Sequence, residues 1–434
     1  MHFQVMAKPT GASCNLGCKY CFYTEKHSLY GGHDSHRMSL EVLEEYVRQY
    51  IESQEGPEVQ FAWQGGEPTL MEIEFFRSAI NLQRKYCAGK NITNSIQTNG
   101  TLLTDEWCAF LKENNFLVGI SIDGPRELHD RYRVTVGGRP TFDSVMNGVE
   151  NLKKYGIEFN TLTVINRLNS RHPLEVYRFL KSIGDGHMQF IPAVERMPGQ
   201  SSKDLGLNLA IPPSSVDSPE NLKLTSWSVL PDQFASFYIS IFNEWVHNDV
   251  GEFFIQFFDV TLGNWLGAGS GLCHFSPKCG QAGALEHNGD IYSCDHYVYP
   301  QHKLGNILEA PLAELMESEV QVRFGDDKLM ALAECCTKCE VRFVCHGDCP
   351  KHRFNPSSDG TAAVSYLCTA YKQIFTYMAP YMDIMAQLVR AGRPVPEIKQ
   401  ILLQQEKGRS IVKPSRNSAC PCGSGKKYKR CCGI

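Results

Sequence analysis

The segment Cys14-Asn15-Leu16-Gly17-Cys18-Lys19-Tyr20-Cys21 sets three thiols at x3 and x2 spacing just after a short apolar run. Three cysteines can hold three corners of a cubane iron–sulfur cluster and leave the fourth iron open to a small molecule that must be bound and reduced. A structural zinc site would instead need a nearby fourth ligand, and His27, His33 and His36 are candidates. Metal-free buried thiols are the plainest reading of any cysteine, but such close packing argues against it.

Outward from this segment, apolar strand-like runs alternate with amphipathic helical ones, the pattern of β/α units around a parallel sheet. Strands are expected near Phe3–Ala7, Val59–Trp63, Thr93–Gln97, Leu117–Ile122, Phe159–Ile165 and Met188–Ile191. Leu40, Leu43, Tyr46, Val47, Tyr50 and Ile51 share a helical face capped by Ser39. Phe75, Phe76, Ala79 and Ile80 mark the next helix, followed by Trp107 through Leu111 and by Val145, Val149 and Leu152. This repeat predicts a partial, TIM-like (β/α)6 barrel, open on one side, with its chemistry at the C-terminal ends of the strands.

The polar motifs of this half fall at such ends. Gln64-Gly65-Gly66-Glu67-Pro68 follows the second strand, Gln97-Thr98-Asn99-Gly100 ends the third, and Ser121-Ile122-Asp123-Gly124 ends the fourth. Adjacent glycines let backbone groups approach a ligand closely, although a tight turn without a ligand uses them too. An Asx turn accounts for Asn99 and Asp123 almost as simply. Tyr23 is either a wall of the pocket or a core aromatic.

The three-cysteine pattern, with aromatic Tyr20 before its last thiol, resembles the signature of the radical S-adenosylmethionine (SAM) family. The resemblance implies a 4Fe–4S cluster on Cys14, Cys18 and Cys21 whose open iron chelates the amino and carboxylate groups of SAM. One electron then cleaves the sulfonium to a 5′-deoxyadenosyl radical. It also implies that Gly65, Gly66 and Glu67 meet the methionine amino group. Gln97, Asn99, Ser121, Asp123 and Arg133 would hold the ribose, the carboxylate and the surrounding hydrogen-bond network.

Residues 198–230 lack a firm period and read as a long connection, and a helix resumes from 232 with Phe234, Phe237, Ile241 and Trp245 on one face. Then come Cys273-x5-Cys279-x14-Cys294 and Cys336-x2-Cys339-x5-Cys345-x3-Cys349-x18-Cys368, with Cys335 as a supernumerary neighbour. Spacing alone leaves structural zinc sites open. The order resembles the twin-cluster SPASM extension of peptide-modifying radical enzymes. That resemblance implies one auxiliary 4Fe–4S cluster on Cys273, Cys279, Cys294 and Cys349 and another on Cys336, Cys339, Cys345 and Cys368, three clusters in all. Cys87 and Cys108 stand apart in helix-like stretches and read as small packed hydrophobes.

In Gly289-Asp290-Ile291-Tyr292-Ser293-Cys294-Asp295-His296 a short strand ends in a candidate ligand followed at once by a carboxylate. Asp290 reads as a hairpin residue and His296 as surface, and Asp295 itself could be a solvated turn residue. Over roughly residues 1–375 the chain resembles anaerobic sulfatase maturases, which implies Asp295 as general base, with Tyr23 in the same site. The reaction so implied oxidises a cysteine or serine of a sulfatase peptide to Cα-formylglycine. The radical takes a β-hydrogen, Asp295 takes the thiol or hydroxyl proton, and an auxiliary cluster accepts the second electron, which proton loss makes easier to release. Thioether or other crosslinking of a ribosomal peptide is the alternative on the same extension. A non-catalytic metal scaffold explains the glycine motifs poorly.

At 434 residues the chain exceeds one average domain. The expected division is a barrel over 1–230, an auxiliary-cluster domain over 231–385, a linker over 386–415 and a small zinc knuckle over 416–434. A net charge of −4, from 43 basic and 47 acidic residues, gives no global pull toward nucleic acid or membrane. Neither a long apolar run nor a leader is visible, so a cytoplasmic enzyme is expected, served by a flavodoxin- or ferredoxin-like reductant. From Lys407 onward the chain is basic and without acids, and Tyr428 alone does not make a dedicated nucleic-acid site. Its Cys420-x-Cys422-x8-Cys431-Cys432 spacing closes a compact four-thiolate site and resembles the SEC-C module. That resemblance implies bound Zn2+ and docking to an export chaperone, ribosome or nascent chain, with a plain stabilising knuckle as the equal alternative.

Overall fold

The computed structural model describes residues 3–30, 36–213, 222–360 and 362–410, together with Lys427 and Arg430. Six strands, β1 (Gln4–Lys8), β2 (Glu58–Trp63), β3 (Asn91–Thr98), β4 (Leu117–Ser121), β5 (Phe159–Ile165) and β6 (His187–Pro192), pair in parallel, each with the next. β7 (Phe254–Ile255) extends this sheet beyond β6. At the other edge β8 (Ala282–Glu286) pairs in parallel with β1, and β9 (Asp290–Tyr292) and β10 (Lys303–Asn306) follow antiparallel. The order is thus β10-β9-β8-β1-β2-β3-β4-β5-β6-β7. The cysteine-rich half joins the open edge of the partial barrel through backbone hydrogen bonds.

Alternation along the strands divides the two faces. In β5 the side chains of Phe159, Thr161, Thr163 and Ile165 are buried toward the helices, whereas Asn160, Leu162 and Val164 line the barrel interior. Outside, α1 (Leu40–Ser53) starts at Ser39, whose Oγ accepts the Val42 N–H at 3.2 Å. It buries Leu43, Tyr46, Val47, Tyr50 and Ile51. Leu40 departs from the expected face: as the first residue of the helix it projects into solvent and is 62% exposed. Phe61 of β2 meets Tyr46 and Tyr50 edge-on, with ring centres 5.4 and 5.2 Å apart. Truncating such a buried aromatic costs about 3–5 kcal/mol.

α2 (Glu72–Tyr86), α3 (Asp105–Glu113), α4 (Phe142–Lys154) and α5 (Pro173–Ile183) continue the outer layer. Cys108 on α3 is a packed core residue. Cys87 is not: it follows the last turn of α2, partly exposed, and its thiol donates to Arg84 O at 3.4 Å. The described residues of the stretch 198–230 are mostly irregular, as expected, but include a short helix over Gln200–Asp204.

In the second half α6 (Pro231–Glu244), α7 (Gln256–Leu266), α8 (Glu319–Met330) and α9 (Cys368–Arg390) are followed by α10 (Ile398–Ser410). Phe257 of α7 joins α6 to α9 through Tyr238 at 4.1 Å and Phe375 at 5.6 Å between ring centres. β11 (Arg353–Pro356) and β12 (Ala363–Ser365) form a separate two-stranded sheet. Among the described residues no helix is long and apolar enough to cross a membrane. The expected knuckle thiols Cys420, Cys422, Cys431 and Cys432 lie outside the described residues.

Candidate active site

The loop leaving β1 carries Cys14, Cys18 and Cys21 to the C-terminal mouth of the barrel, where all three line a cavity of about 490 Å³. Backbone hydrogen bonds fix this loop from two sides. Gly66 N–H donates to Gly11 O at 2.8 Å and Glu67 N–H to Ser13 O at 2.9 Å. A Cβ at Gly66 would stand 1.9 Å from Ser13 O, so the zipped loops admit only glycine there. Opposite, Gly17 N–H donates to Val134 O at 2.8 Å and Lys19 N–H to Tyr132 O at 3.0 Å. No periodicity in the sequence announces this second clamp. His27 and His36 pack against each other with tilted rings whose centres are 3.9 Å apart and do not line the thiol cavity, and His33 lies outside the described residues.

Gly65, Gly66, Gln97, Ser121 and Arg133 border the same cavity. Gln97 Nε2 donates to Ser121 Oγ at 3.0 Å, and a Cβ on Gly119 would meet Gln97 Oε1 at 2.1 Å. Gly119, which the motifs did not single out, thus leaves the space in which the Gln97 amide rests, and a side chain there would displace that amide from Ser121. Asn99 serves in two ways. Its Oδ1 accepts the Thr101 N–H at 3.0 Å, the Asx turn, while its Nδ2 donates to Asn15 Oδ1 at 2.9 Å within the cysteine loop.

Glu67 and Asp123 commit their carboxylates to the scaffold. Glu67 accepts from Thr69 Oγ1 at 2.6 Å, Thr98 Oγ1 at 2.7 Å and Asn99 N–H at 2.7 Å. Asp123 accepts from the Tyr20 hydroxyl at 2.5 Å and the Val164 N–H at 3.1 Å, and Arg133 Nη1 donates to Tyr20 Oη at 3.0 Å. Burial raises both carboxyls above their usual range, with these hydrogen bonds opposing it. Tyr20, the aromatic within the cysteine motif, thus joins the thiol loop to Asp123 and Arg133. Arg133 Nε is buried and finds no acceptor among the described residues. A guanidinium with a free donor beside three thiols fits an anionic occupant, whether cluster thiolates or a ligand carboxylate.

The β8–β9 hairpin brings Asp295 to this cavity. Gly289 makes the turn at φ +91°, and Asp290 is a hairpin residue that accepts from Asn306 Nδ2 at 2.9 Å and pairs with Lys303 at 2.7 Å. Asp295 ion-pairs with Lys8, the last residue of β1. Burial alone would raise the Asp295 carboxyl, but the Lys8 ammonium beside it outweighs burial and holds it below the usual carboxylate range. Lys8 Nζ also lies 4.5 Å from the centre of the Tyr23 ring. Tyr23 is buried, forms a wall of the cavity and donates its hydroxyl to Glu286. Burial pushes that phenol well above its ordinary value.

His296 is not a surface residue. It lines the cavity with its ring 4.7 Å from that of Phe22, and burial drives its imidazole well below the usual value, keeping it neutral.

Apart from Cys87, Cys108 and Cys335, the remaining described cysteines fall into two groups. Cys336, Cys339, Cys345 and Cys368 line one small cavity. Cys273, Cys279, Cys294 and Cys349 face one another closely enough that, beyond burial, each of Cys273 and Cys349 raises the Cys294 thiol and each of Cys279 and Cys273 raises that of Cys349. α8 frames this second group. Gln321 Nε2 donates to Gly280 O at 2.9 Å and Ser293 O at 3.1 Å, next to Cys279 and Cys294. Two turns on, Lys328 Nζ donates to Cys273 O at 2.7 Å and His274 O at 2.9 Å. Between them Gly325 lets the Cys279 carbonyl approach, since a Cβ there would lie 2.6 Å from it. α8 carries no metal-ligand type at these positions, so nothing in a motif search finds it. Among the described residues no three His, Cys, Asp or Glu side chains gather as a site for a single metal ion. Four thiolates on separate irons of a cubane stand farther apart than four ligands of one ion. Both groups have the donor set of a fully thiolate-ligated cluster.

An open-cornered thiol loop on a partial barrel, joined edge to edge with a cysteine-rich hairpin unit, defines the class as a radical SAM enzyme with an iron–sulfur extension. Family models agree: residues 9–180 match the radical SAM superfamily, 278–340 an iron–sulfur cluster-binding domain and 416–434 the SEC-C motif. A serine-type anaerobic sulfatase-maturating enzyme of Bacteroides thetaiotaomicron is 49% identical over 381 residues, 88% of this chain and 90% of the relative. A cysteine-type enzyme of Clostridium perfringens is 32% identical over 392 residues, 89% and 99% of the two chains. The solved structure of native anSMEcpe with bound AdoMet and Cp18Cys peptide superposes with a TM-score of 0.76 at 32% identity, over 89% of this chain and 99% of that one. The chain belongs to the anaerobic sulfatase-maturating enzymes, radical SAM oxidoreductases with an iron–sulfur extension.

Proposed function

We propose that this enzyme oxidises a serine or cysteine of a sulfatase polypeptide to Cα-formylglycine, with Asp295 as the base. The observation that carries the reading is the Asp295 carboxylate, held ionised by Lys8 on the same cavity as Cys14, Cys18 and Cys21. The bound-peptide relative and the 49% identity to a serine-type enzyme support a polypeptide substrate and favour serine.

When bound, SAM and the clusters would supply the hydrogen-abstracting radical and the acceptor for the second electron. Cys14, Cys18 and Cys21 would hold the cluster that binds SAM, and Gly65 and Gly66, packed against the cysteine loop, would present their backbone to the ligand at the cavity border. Gln97, Ser121 and Arg133 would bind its polar groups, with Asn99, Glu67 and Asp123 fixing the loops behind them. Cys273, Cys279, Cys294 and Cys349, and separately Cys336, Cys339, Cys345 and Cys368, would hold the auxiliary clusters. Tyr23 and the neutral His296 bound the substrate space and exclude water. Asp295 accepts the hydroxyl or thiol proton of the substrate, and Lys8 then loses its partner charge until the proton leaves.

The same reading divides the chain into a barrel (1–230), an auxiliary unit (231–385), a linker (386–415) and a SEC-C knuckle (416–434) that binds zinc through Cys420, Cys422, Cys431 and Cys432. The motif match and the thiol spacing support that last part. A flavodoxin- or ferredoxin-like reductant, a cytoplasmic setting and docking of the knuckle to an export chaperone or ribosome complete it.

Anaerobic incubation with SAM, a reductant and a sulfatase-derived peptide, followed by mass spectrometry, tests the reaction. A serine losing two hydrogens to an aldehyde, or a cysteine exchanging SH2 for O, is the expected product. A crosslinked peptide without aldehyde would sink the reading.

A further inference from the structure

Two cations are buried in the auxiliary unit without a carboxylate partner. Lys328 on α8 is 1% exposed and Arg353 at the start of β11 is 7% exposed. Neither forms an ion pair among the described residues. The nearby Asp348 carboxylate engages its Oδ2 with His352 Nδ1 at 3.0 Å and Ser365 Oγ at 2.7 Å, and its buried Oδ1 is hydrogen-bonded to neither cation. Carbonyl oxygens receive both cations instead. Lys328 donates to Cys273 O and His274 O. Arg353 donates through Nε to Gly347 O at 2.8 Å, through Nη1 to Lys328 O at 2.6 Å, and through Nη2 to His346 O and Asp348 O, each at 3.1 Å.

Neutral donors would serve those carbonyls as well, so the charge itself needs a reason, because an unpaired buried charge is strongly unfavourable. The thiols supply it. Lys328 sits at the backbone of Cys273. Arg353 is wrapped by the loop from Cys345 to Cys349, which carries one thiol of each group. A cubane with four thiolates is anionic, and its potential follows net charge, hydrogen bonding and exposure. A fixed cation nearby favours the electron-richer state.

We propose that Lys328 and Arg353 are the counter-charges of the two auxiliary clusters: Lys328 raises the reduction potential of the cluster on Cys273, Cys279, Cys294 and Cys349, and Arg353, placed between the two sites, raises both. This rests on the auxiliary clusters of the proposed function. It makes the site beside Asp295 a better electron acceptor at the moment the substrate proton is removed. Lys328 and Arg353 touch neither substrate nor SAM and act through the clusters as positioning residues.

The test is a spectroscopically followed redox titration of anaerobically reconstituted full-length protein, comparing wild type, Lys328→Met and Lys328→Arg, with iron counted in each. Lys328→Met should move one auxiliary midpoint to more negative potential by at least a factor of ten in the reduced-to-oxidised ratio, about 59 mV for one electron. Lys328→Arg should stay near wild type, and the cluster on Cys14, Cys18 and Cys21 should not move. An unchanged midpoint in Lys328→Met with full iron overturns the proposal. If Lys328→Met loses iron, Lys328→Gln is titrated in its place and judged by the same shift. Loss of iron from both neutral variants with full iron in Lys328→Arg supports a need for charge, and loss from Lys328→Arg as well overturns it. A wild-type count well short of about twelve irons per chain would instead sink the auxiliary-cluster reading itself.

Discussion

Lys8 and Asp295 are far apart in sequence yet form an ion pair at the barrel mouth, because β8 pairs in register with β1 and the hairpin that follows returns the chain to the same point. The carboxylate that faces the cavity is thereby held ionised by the first strand of the fold. Replacing Asp295 by Asn should lower aldehyde formation by about 10²–10⁴-fold, the usual range for a lost general base. Some SAM cleavage should remain. Parallel assays of 5′-deoxyadenosine and peptide mass check this, and full product from Asp295→Asn would remove the residue from its role.

Lys8→Met keeps the bulk of the side chain but removes the cation opposite Asp295 and beside Tyr23. The Asp295 carboxyl then loses its main counterweight to burial and rises, so less of it is ionised at low pH. The expected outcome is a fall in peptide kcat that is steepest on the acid side of the pH–rate profile, with SAM cleavage much less affected. A uniform loss across pH would count against this coupling.

Gly66→Ala would drive a Cβ into Ser13 O and part the two loops that hold the first three thiols. The strain should cost about 1–3 kcal/mol. Thermal denaturation should show the lower Tm, and iron analysis should show selective loss from the site of Cys14, Cys18 and Cys21.

Gln321→Ala strips the donor from the Gly280 and Ser293 carbonyls beside Cys279 and Cys294. Unsatisfied buried acceptors cost about 1–3 kcal/mol. Iron bound at the Cys273 group should fall while the Cys14 group keeps its own, as variable-temperature spectroscopy of the separate clusters can show.

Removing residues 411–434 leaves α10 and every described residue lining the cavity in place and should leave kcat/KM on a short peptide within about twofold. Zinc content should drop with it if the knuckle thiols bind that ion. Complete loss of peptide turnover would tie the tail to catalysis.

The parts of this site that could be read in advance are those in which residue type and spacing carry chemistry on their own: the thiol runs, the paired glycines, the carboxylate after Cys294. The β/α repeat was equally plain, because period-2 and period-3.6 apolar patterns survive without tertiary information. The misread residues were single exposures decided by neighbours. Leu40 has the right period but begins its helix, Cys87 falls one step past the end of one, and His296 follows a turn that the hairpin folds inward. Long-range pairings left no local trace. Neither the union of Tyr20, Asp123 and Arg133, nor the Val134 clamp on Gly17, nor the grip of α8 on three separate thiol loops follows from any pattern shorter than the fold.

The parallel pairing of β8 with β1 has a further consequence for dissection of the enzyme. A fragment ending near residue 230 would not be a self-sufficient SAM-cleaving core. It would bare the full length of β1 as an unpaired edge, with Val5 and Ala7 on its buried face, and so invite intermolecular strand addition and precipitation. Any engineered barrel would need its own strand to cover that edge before its cofactor chemistry could be studied alone.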